Sequence, residues 1–187
     1  IMPFLMKKNK FLKPFLSIAI SFLVIIAIFS IFKGPNYIFV KYYYYSGFAK
    51  QKNKNLIGAI EDYSKAISLD KTHSTSYISR GSAYMDLKKY QEAISDYSKA
   101  IELKPYESTS FAYRGRAYYE INNPEKSIAD FDKAISLDKN SGYAYLNRAI
   151  VKYVILKDYE GGCNDLNKAS ELGENEAKEH LKNGYCD

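Results

Sequence analysis

The amino-acid sequence predicts an all-α solenoid of helical hairpins, and three observations carry that expectation. First, one phrase recurs: DYSKAISL at 62–69, DYSKAIEL at 96–103, DFDKAISL at 130–137 and DLNKASEL at 165–172, at intervals of 34, 34 and 35 residues. A fixed period of 20–50 residues is the signature of a repeat architecture. Second, apolar residues within each unit recur at spacings of three and four, the period of a helix face. Third, a short polar stretch, such as LKK at 87–89 or INN at 121–123, divides each unit into two such patterns. Two amphipathic helices so joined form an antiparallel hairpin.

The N-terminal region differs from the rest. Residues 1–54 contain nine Lys, no Arg and no acidic side chain, which leaves 18 basic and 21 acidic residues for the remainder. The net charge of +6 is therefore an N-terminal excess on a mildly acidic body. That distribution argues against a nucleic-acid partner and for a membrane topology signal. Residues 15–32, FLSIAISFLVIIAIFSIF, carry no charge. Eighteen such residues make a helix of roughly 27 Å, close to the thickness of a bilayer core. Lys7, Lys8, Lys10 and Lys13 precede the run, and Lys33 and Lys41 follow it. We expect a basic segment over 1–14 and an uncleaved transmembrane signal anchor over 15–33. The N-terminus is then cytoplasmic, and the rest is exported to the periplasm or the cell exterior. The alternative is a cleaved signal peptide. Against it, the run is longer than the usual apolar region, and bulky IFSIFKG stands where cleavage takes small residues. MKKNKFLK from Met6 is a more typical start for such a segment than Ile1.

The hairpins follow in order, with helices expected over 37–53 and 55–69, 75–87 and 90–103, 109–121 and 124–137, and 142–156 and 159–172. The first unit keeps Tyr43, Gly47, Ala59, Tyr63 and Ala66 in register, but has Ser46 and Lys50 where the second has Arg80 and Tyr84. Its YYYY at 42–45 cannot form one face, because successive side chains of a helix point about 100° apart. In the second unit, Tyr77, Gly81 and Tyr84 share one face. Tyr90, Ala93, Ile94, Tyr97, Ala100 and Ile101 share another. Gly81 and Ala100 are small residues on apolar faces, read as points of close helix contact. The third unit repeats the pattern with Phe111, Arg114, Gly115, Ala117, Tyr118, Ile128, Asp130, Phe131 and Ala134. Pro124 falls where a helix begins and its missing N–H costs nothing. The fourth unit keeps Tyr145 and Arg148, has Ala149 for the Gly, and gains one residue before Tyr159. Ala177 and Leu181, four apart among charges, suggest a short capping helix over 174–182 in the C-terminal segment 173–187. A lone hairpin cannot bury both faces of its aromatics, but a stack of hairpins can.

Tyr77-x2-Arg80-Gly81-x2-Tyr84, Ala93-x3-Tyr97 and Pro105 resemble the tetratricopeptide pattern, whose period is 34. Tyr77 replaces the usual Trp, and Arg80 stands where Leu is common. The resemblance covers 37–172. GGCNDLNKASELG, followed by a helix and a late Cys, is similar to the closing unit of many bacterial tetratricopeptide proteins. A residue usage rich in Lys, Asn, Ile, Tyr and Phe suits an AT-rich bacterial genome. The resemblance implies a membrane-anchored scaffold of about four repeats that binds a protein or peptide, with no enzymatic activity and no cofactor. In that family the first helices of the hairpins line a concave groove. The matching positions are Tyr44, Phe48, Ile78, Ser82, Met85, Ala112, Arg116, Tyr119, Leu146, Ile150 and Tyr153. Tyr119, Leu146 and Ile150 are expected to form one exposed patch. Family members that grip chaperone C-terminal carboxylates use Lys and Asn where Ile78 and Ser82 stand here. Two other roles stay open: a structural spacer or oligomerisation module of a membrane complex, and an accessory subunit that recruits a cell-envelope enzyme.

Other recurrent residues have structural readings. Asp62, Asp96, Asp130 and Asp165 recur at the repeat period, as do Arg80, Arg114 and Arg148, so pairing between the columns is expected. His73 and His180 are expected in solvent. Cys163 and Cys186 either form one disulfide, which an exported location permits, or remain two thiols. The sequence has no phosphate-binding loop, nucleophile triad or metal motif.

Overall fold

The computed structural model of the chain describes Ile20, Ser21, Val24 and residues 36–186, and every regular element it describes is helical. The basic segment 1–14 and the expected span 15–33 lie outside the described residues, apart from those three positions. Among the described residues no helix is long and apolar enough to cross a membrane.

Four hairpins follow one another: α1 (Tyr37–Lys52) with α2 (Leu56–Leu69), α3 (Ser74–Asp86) with α4 (Tyr90–Leu103), and α5 (Ser108–Glu120) with α6 (Pro124–Leu137). The fourth pairs α7 (Gly142–Ile150), continued by a π-helical segment over Val151–Leu156, with α8 (Tyr159–Glu171). A final helix, α9 (Asn175–Lys182), packs on α8. Each bound falls within one residue of the sequence expectation. The second helix of each hairpin also packs on the first helix of the next, which makes a linear stack.

Local chemistry explains the boundaries. Asn55, Asn123 and Asp158 accept hydrogen bonds from the backbone N–H of Gly58, Lys126 and Gly161 at 3.1, 3.2 and 2.9 Å. Such caps contribute about 1 kcal/mol each. Pro124 sits in the first turn of α6, where its lost donor has no intrahelical partner. Lys54, Lys88, Asn122 and Lys157 turn each hairpin with φ between 56° and 62°. The fourth unit's extra residue is absorbed in the helix as the π-helical segment, a common way to accept one insertion.

Two contacts recur inside each hairpin. Tyr63, Tyr97 and Phe131 are fully or almost fully buried against Gly47, Gly81 and Gly115. A Cβ on those glycines would lie 2.9, 2.7 and 3.0 Å from the ring. The fourth hairpin has Ala149 and Leu166 in the same places, so a smaller side chain leaves room for a methyl group. The second contact is ionic. Arg80 donates through Nε and Nη2 to the two carboxylate oxygens of Asp96 at 2.8 and 2.7 Å. Arg114 does the same to Asp130 at 2.8 Å for both bonds, and Arg148 to Asp165 at 2.8 and 2.6 Å. The remaining donor, Nη1, reaches back one hairpin to Ser64, Ser98 or Asp132. Each Arg thus ties three helices together. The Asp130 carboxylate raises the Arg114 guanidinium above its ordinary range through this bond, against the opposing effect of burial.

The first hairpin lacks the Arg and rebuilds the pair from two residues. Ser46 Oγ donates to Asp62 at 2.6 Å, and Lys50 Nζ lies 2.6 Å from the same oxygen. Burial pushes the Asp62 carboxyl up, but these bonds outweigh it and hold Asp62 below the ordinary carboxylate range. His73 departs from its solvated expectation. It is half-buried, with Nδ1 2.7 Å from Ser76 Oγ and its ring edge-on to Tyr44.

Gly81→Ala should destabilise the chain by about 1–3 kcal/mol, because the methyl group collides with the Tyr97 ring. Adding Tyr97→Leu should recover part of that loss, as the Ala149–Leu166 pair suggests. Thermal melting of the two variants checks this, and a double variant no more stable than Gly81→Ala refutes it. Arg114→Ala should cost about 3–5 kcal/mol by leaving Asp130 buried and unpaired. Lys99→Ala, whose partner Glu102 is exposed, should change stability by less than about 0.5 kcal/mol. Denaturant titration of both variants is the measurement.

Candidate peptide-binding groove

The first helices of the hairpins present a stripe whose members are four, three and four residues apart, a single helix face. In α3 it runs Thr75, Ser79, Ser82, Asp86, in α5 Thr109, Tyr113, Arg116, Glu120, and in α7 it runs Tyr143, Asn147, Ile150 and on to Val154. Hydrogen bonds cross between successive stripes. Gln51 Nε2 donates to Ser82 Oγ at 3.3 Å and to Asp86 at 3.1 Å. The Tyr63 hydroxyl in turn donates to Gln51 Oε1 at 3.0 Å. Arg116 donates to Glu120 within its own helix and to Asn147 Oδ1 in the next hairpin, both at 2.9 Å. Asn147 completes the chain by donating to the Tyr143 carbonyl at 2.8 Å.

These residues surround a cavity of about 220 Å³ between α3, α5 and α7, lined by Ser82, Met85, Asp86, Tyr97, Tyr113, Arg116 and Tyr143. Its aromatic wall is continuous: Tyr97 and Tyr113 lie 5.8 Å apart, and Tyr113 meets Tyr143 edge-on at 5.6 Å. Burial pushes the Tyr143 hydroxyl up to about 12 and that of Tyr97 higher still, so both remain protonated at neutral pH. The charged lining is Asp86 and Arg116, and Arg116 is already paired at 2.8 Å with Glu120 beside the cavity, which leaves Asp86 without a cationic partner there.

A second cavity, of about 200 Å³, lies at the C-terminal end of the array. Ala149, Ile150, Tyr153, Val154, Gly162 and Leu166 form its apolar wall, and Glu176, His180 and Tyr185 close it. Cys163 and Cys186 are joined in a disulfide across 23 residues of sequence, which holds the adjacent Tyr185 in place. The Tyr185 ring packs at a tilt against Tyr153 at 5.5 Å and meets His180 edge-on at 4.7 Å.

The candidate residues divide between these places. Ser82, Met85 and Arg116 line the central cavity, and Ile150 and Tyr153 line the terminal one. Phe48 is exposed on α1. Tyr44 packs on Tyr63, and Ile78 packs between the cores of neighbouring hairpins. Two positions need correction. Ala112 and Leu146 are buried, because that column of each helix faces the interior of the stack. The expected patch of Tyr119, Leu146 and Ile150 is therefore not formed. Tyr119 packs against the core cluster that contains Phe111 and Phe131, with the Arg116 guanidinium over its ring at 5.5 Å. Leu146 is covered by the cap through Ala177. Gln51, Asp86, Tyr113, Glu120, Tyr143 and Asn147 were missed by the sequence reading. Extending the helical spacing one step to either side of Ser82 and Arg116 would have found Asp86, Tyr113 and Glu120.

Comparison with known proteins agrees with this geometry. Profiles of the tetratricopeptide repeat match residues 74–107 and 114–141, so these two stretches are tetratricopeptide repeats. A search of curated protein sequences gives no match. Among solved structures, a crystal structure of MamA aligns with a TM-score of 0.67 at 25% identity, over 77% of this chain and 82% of that one. The TPR domain of Arabidopsis OM64 aligns at 0.60 and 25% identity, over 62% of this chain and 96% of the other. The second TPR domain of human RPAP3, solved in complex with the HSP70 peptide SGPTIEEVD, aligns at 0.60 and 26% identity over the same shares, 62% and 96%.

Reduction of the disulfide should loosen the terminal cavity selectively. Closing a loop of this size stabilises a chain by about 3 kcal/mol in the chain-entropy account. Hydrogen exchange of α8 and α9 should accelerate in Cys186→Ser, while that of α3 and α4 stays unchanged. Uniform acceleration along the array would contradict the selectivity.

Proposed function

We propose that the chain is a membrane-anchored, non-enzymatic scaffold whose central groove holds a segment of a partner protein. The observation that carries this is the cavity between α3, α5 and α7, where aromatic walls meet a polar ladder that crosses from one hairpin to the next. Aromatic surface gives a bound segment contact area, and the ladder offers donors and acceptors for its backbone. The peptide-bound RPAP3 domain supports the reading, because a similar array holds a peptide there.

The groove's chemistry also suggests which segments it takes. Ile78 and Ser82 stand where Lys and Asn would grip a terminal carboxylate. With Arg116 neutralised by Glu120, Asp86 leaves the cavity with an excess of negative charge. Segments that are apolar with neutral or basic flanks suit it better than acidic tails. Anchoring is supported by the uncharged run 15–32 and its preceding lysines. Export of the array is supported by the same charge asymmetry and by the Cys163–Cys186 disulfide, a bond favoured in oxidising compartments.

The test compares two labelled peptides by fluorescence anisotropy: SGPTIEEVD, and the same peptide with both Glu replaced by Lys. The basic form should bind at least about tenfold more tightly, a difference of about 1.4 kcal/mol. Asp86→Lys should remove most of that preference without changing the melting temperature. Tighter binding of the acidic form would refute the electrostatic reading, and no binding of either would count against the groove.

A further inference from the structure

We infer that the outer face of α1 lies on an anionic lipid surface, an inference that rests on the membrane-anchored reading above. Unlike the first helices of the later hairpins, α1 is apolar on two opposite sides. Val40 and Gly47 point into the stack. Ile38, Tyr42, Tyr45 and Ala49, at spacings of four, three and four, form the other side and are all exposed. Phe39 and Phe48 flank them, also exposed.

Later hairpins bury two positions of this face against the hairpin before them. Tyr42, 64% exposed, corresponds to Ser76, Ser110 and Ala144, each 0% exposed. Ala49 corresponds to Ala83, Ala117 and Val151, all buried. Small residues at those positions let successive helices close on one another. Tyr42 would hold a neighbouring helix away, so the face does not suit another hairpin of the same kind, whether from this chain or from a second copy.

Three features point to lipid. Residues 1–54 contain no carboxylate, and α1 and its turn present Lys41, Lys52 and Lys54 at the surface. An all-cationic, tyrosine-rich face complements anionic headgroups, and tyrosine rings favour the membrane–water interface. The tether is also short. Only residues 33–36 separate the apolar run from α1, and four residues span about 14 Å at most. A headgroup layer is roughly 5–8 Å deep. If the run crosses the bilayer, α1 must therefore start in or just above that layer.

The chain has no Trp, so one introduced Trp reports its own surroundings. The full chain is reconstituted into vesicles of phosphatidylglycerol and phosphatidylcholine whose acyl chains carry bromine near the headgroup. Tyr42→Trp and Tyr45→Trp should be quenched at least about twofold, since an interfacial helix buries its apolar face about 5–10 Å deep. Tyr106→Trp, on the exposed turn before α5, should not be quenched. Ile38→Trp repeats the reading if either Tyr variant fails to fold. Unquenched Trp at 38, 42 and 45 in a chain that resists alkaline extraction would overturn this inference and leave the anchor intact. Unquenched, blue-shifted Trp in a cross-linkable dimer would give the face to a second copy and likewise overturn it. A chain removed from the vesicles by alkali would overturn the anchor itself, and this inference with it.

Discussion

The stack depends on how closely two helices of a hairpin approach. In three of the four hairpins an aromatic ring of the second helix lies against a glycine of the first, leaving no space for a methyl group. That contact sets the distance between the helices and so the depth at which every other side chain sits. The fourth hairpin obeys the same constraint with different residues, a smaller Leu166 against a larger Ala149. The constraint belongs to the combined volume of the pair, as close packing requires, and neither residue alone carries it.

Orientation is set by the arginines. A glycine–ring contact fixes separation but leaves the helices free to slide or rotate. A two-pronged bond from Arg to Asp removes that freedom within the hairpin, because the fork of the guanidinium admits one alignment. The third nitrogen then fixes the hairpin to the one before it. The first hairpin shows that the requirement concerns charge and reach. Ser46 and Lys50 replace Arg80 and Tyr84, and together they still satisfy a buried carboxylate. Lys152 makes a comparable contact with Asp165 in the fourth hairpin, alongside Arg148.

The array was legible in the sequence because its determinants are periodic. Helix limits, the start at Pro124 and the pairing of the Arg and Asp columns all followed from spacing. The groove was legible only in part. Ser82, Met85 and Arg116 were found by counting along the repeat. Ala112 and Leu146 were misplaced because one repeat does not reveal how far the next helix overlaps it. The ladder from Gln51 to Ser82 and Asp86, and from Arg116 to Asn147, joins residues 31–35 apart through side-chain reach, which spacing does not encode. His73 was misread for a similar reason: it lies in a turn, but Tyr44 from the preceding hairpin covers it.

The disulfide between Cys163 and Cys186 changes how such a stack comes apart. A linear array whose units touch only their neighbours behaves like a zipper and frays from its ends, where each unit has lost half of its support. Here the C-terminal end is closed covalently, with the tail clipped back onto α8. Opening is left to begin at the other end, at the hairpin whose Arg is missing. Away from a lipid surface the array therefore has a direction: its first hairpin opens before the clasped end, and the cavity between α3, α5 and α7 outlasts the rungs that Gln51 contributes.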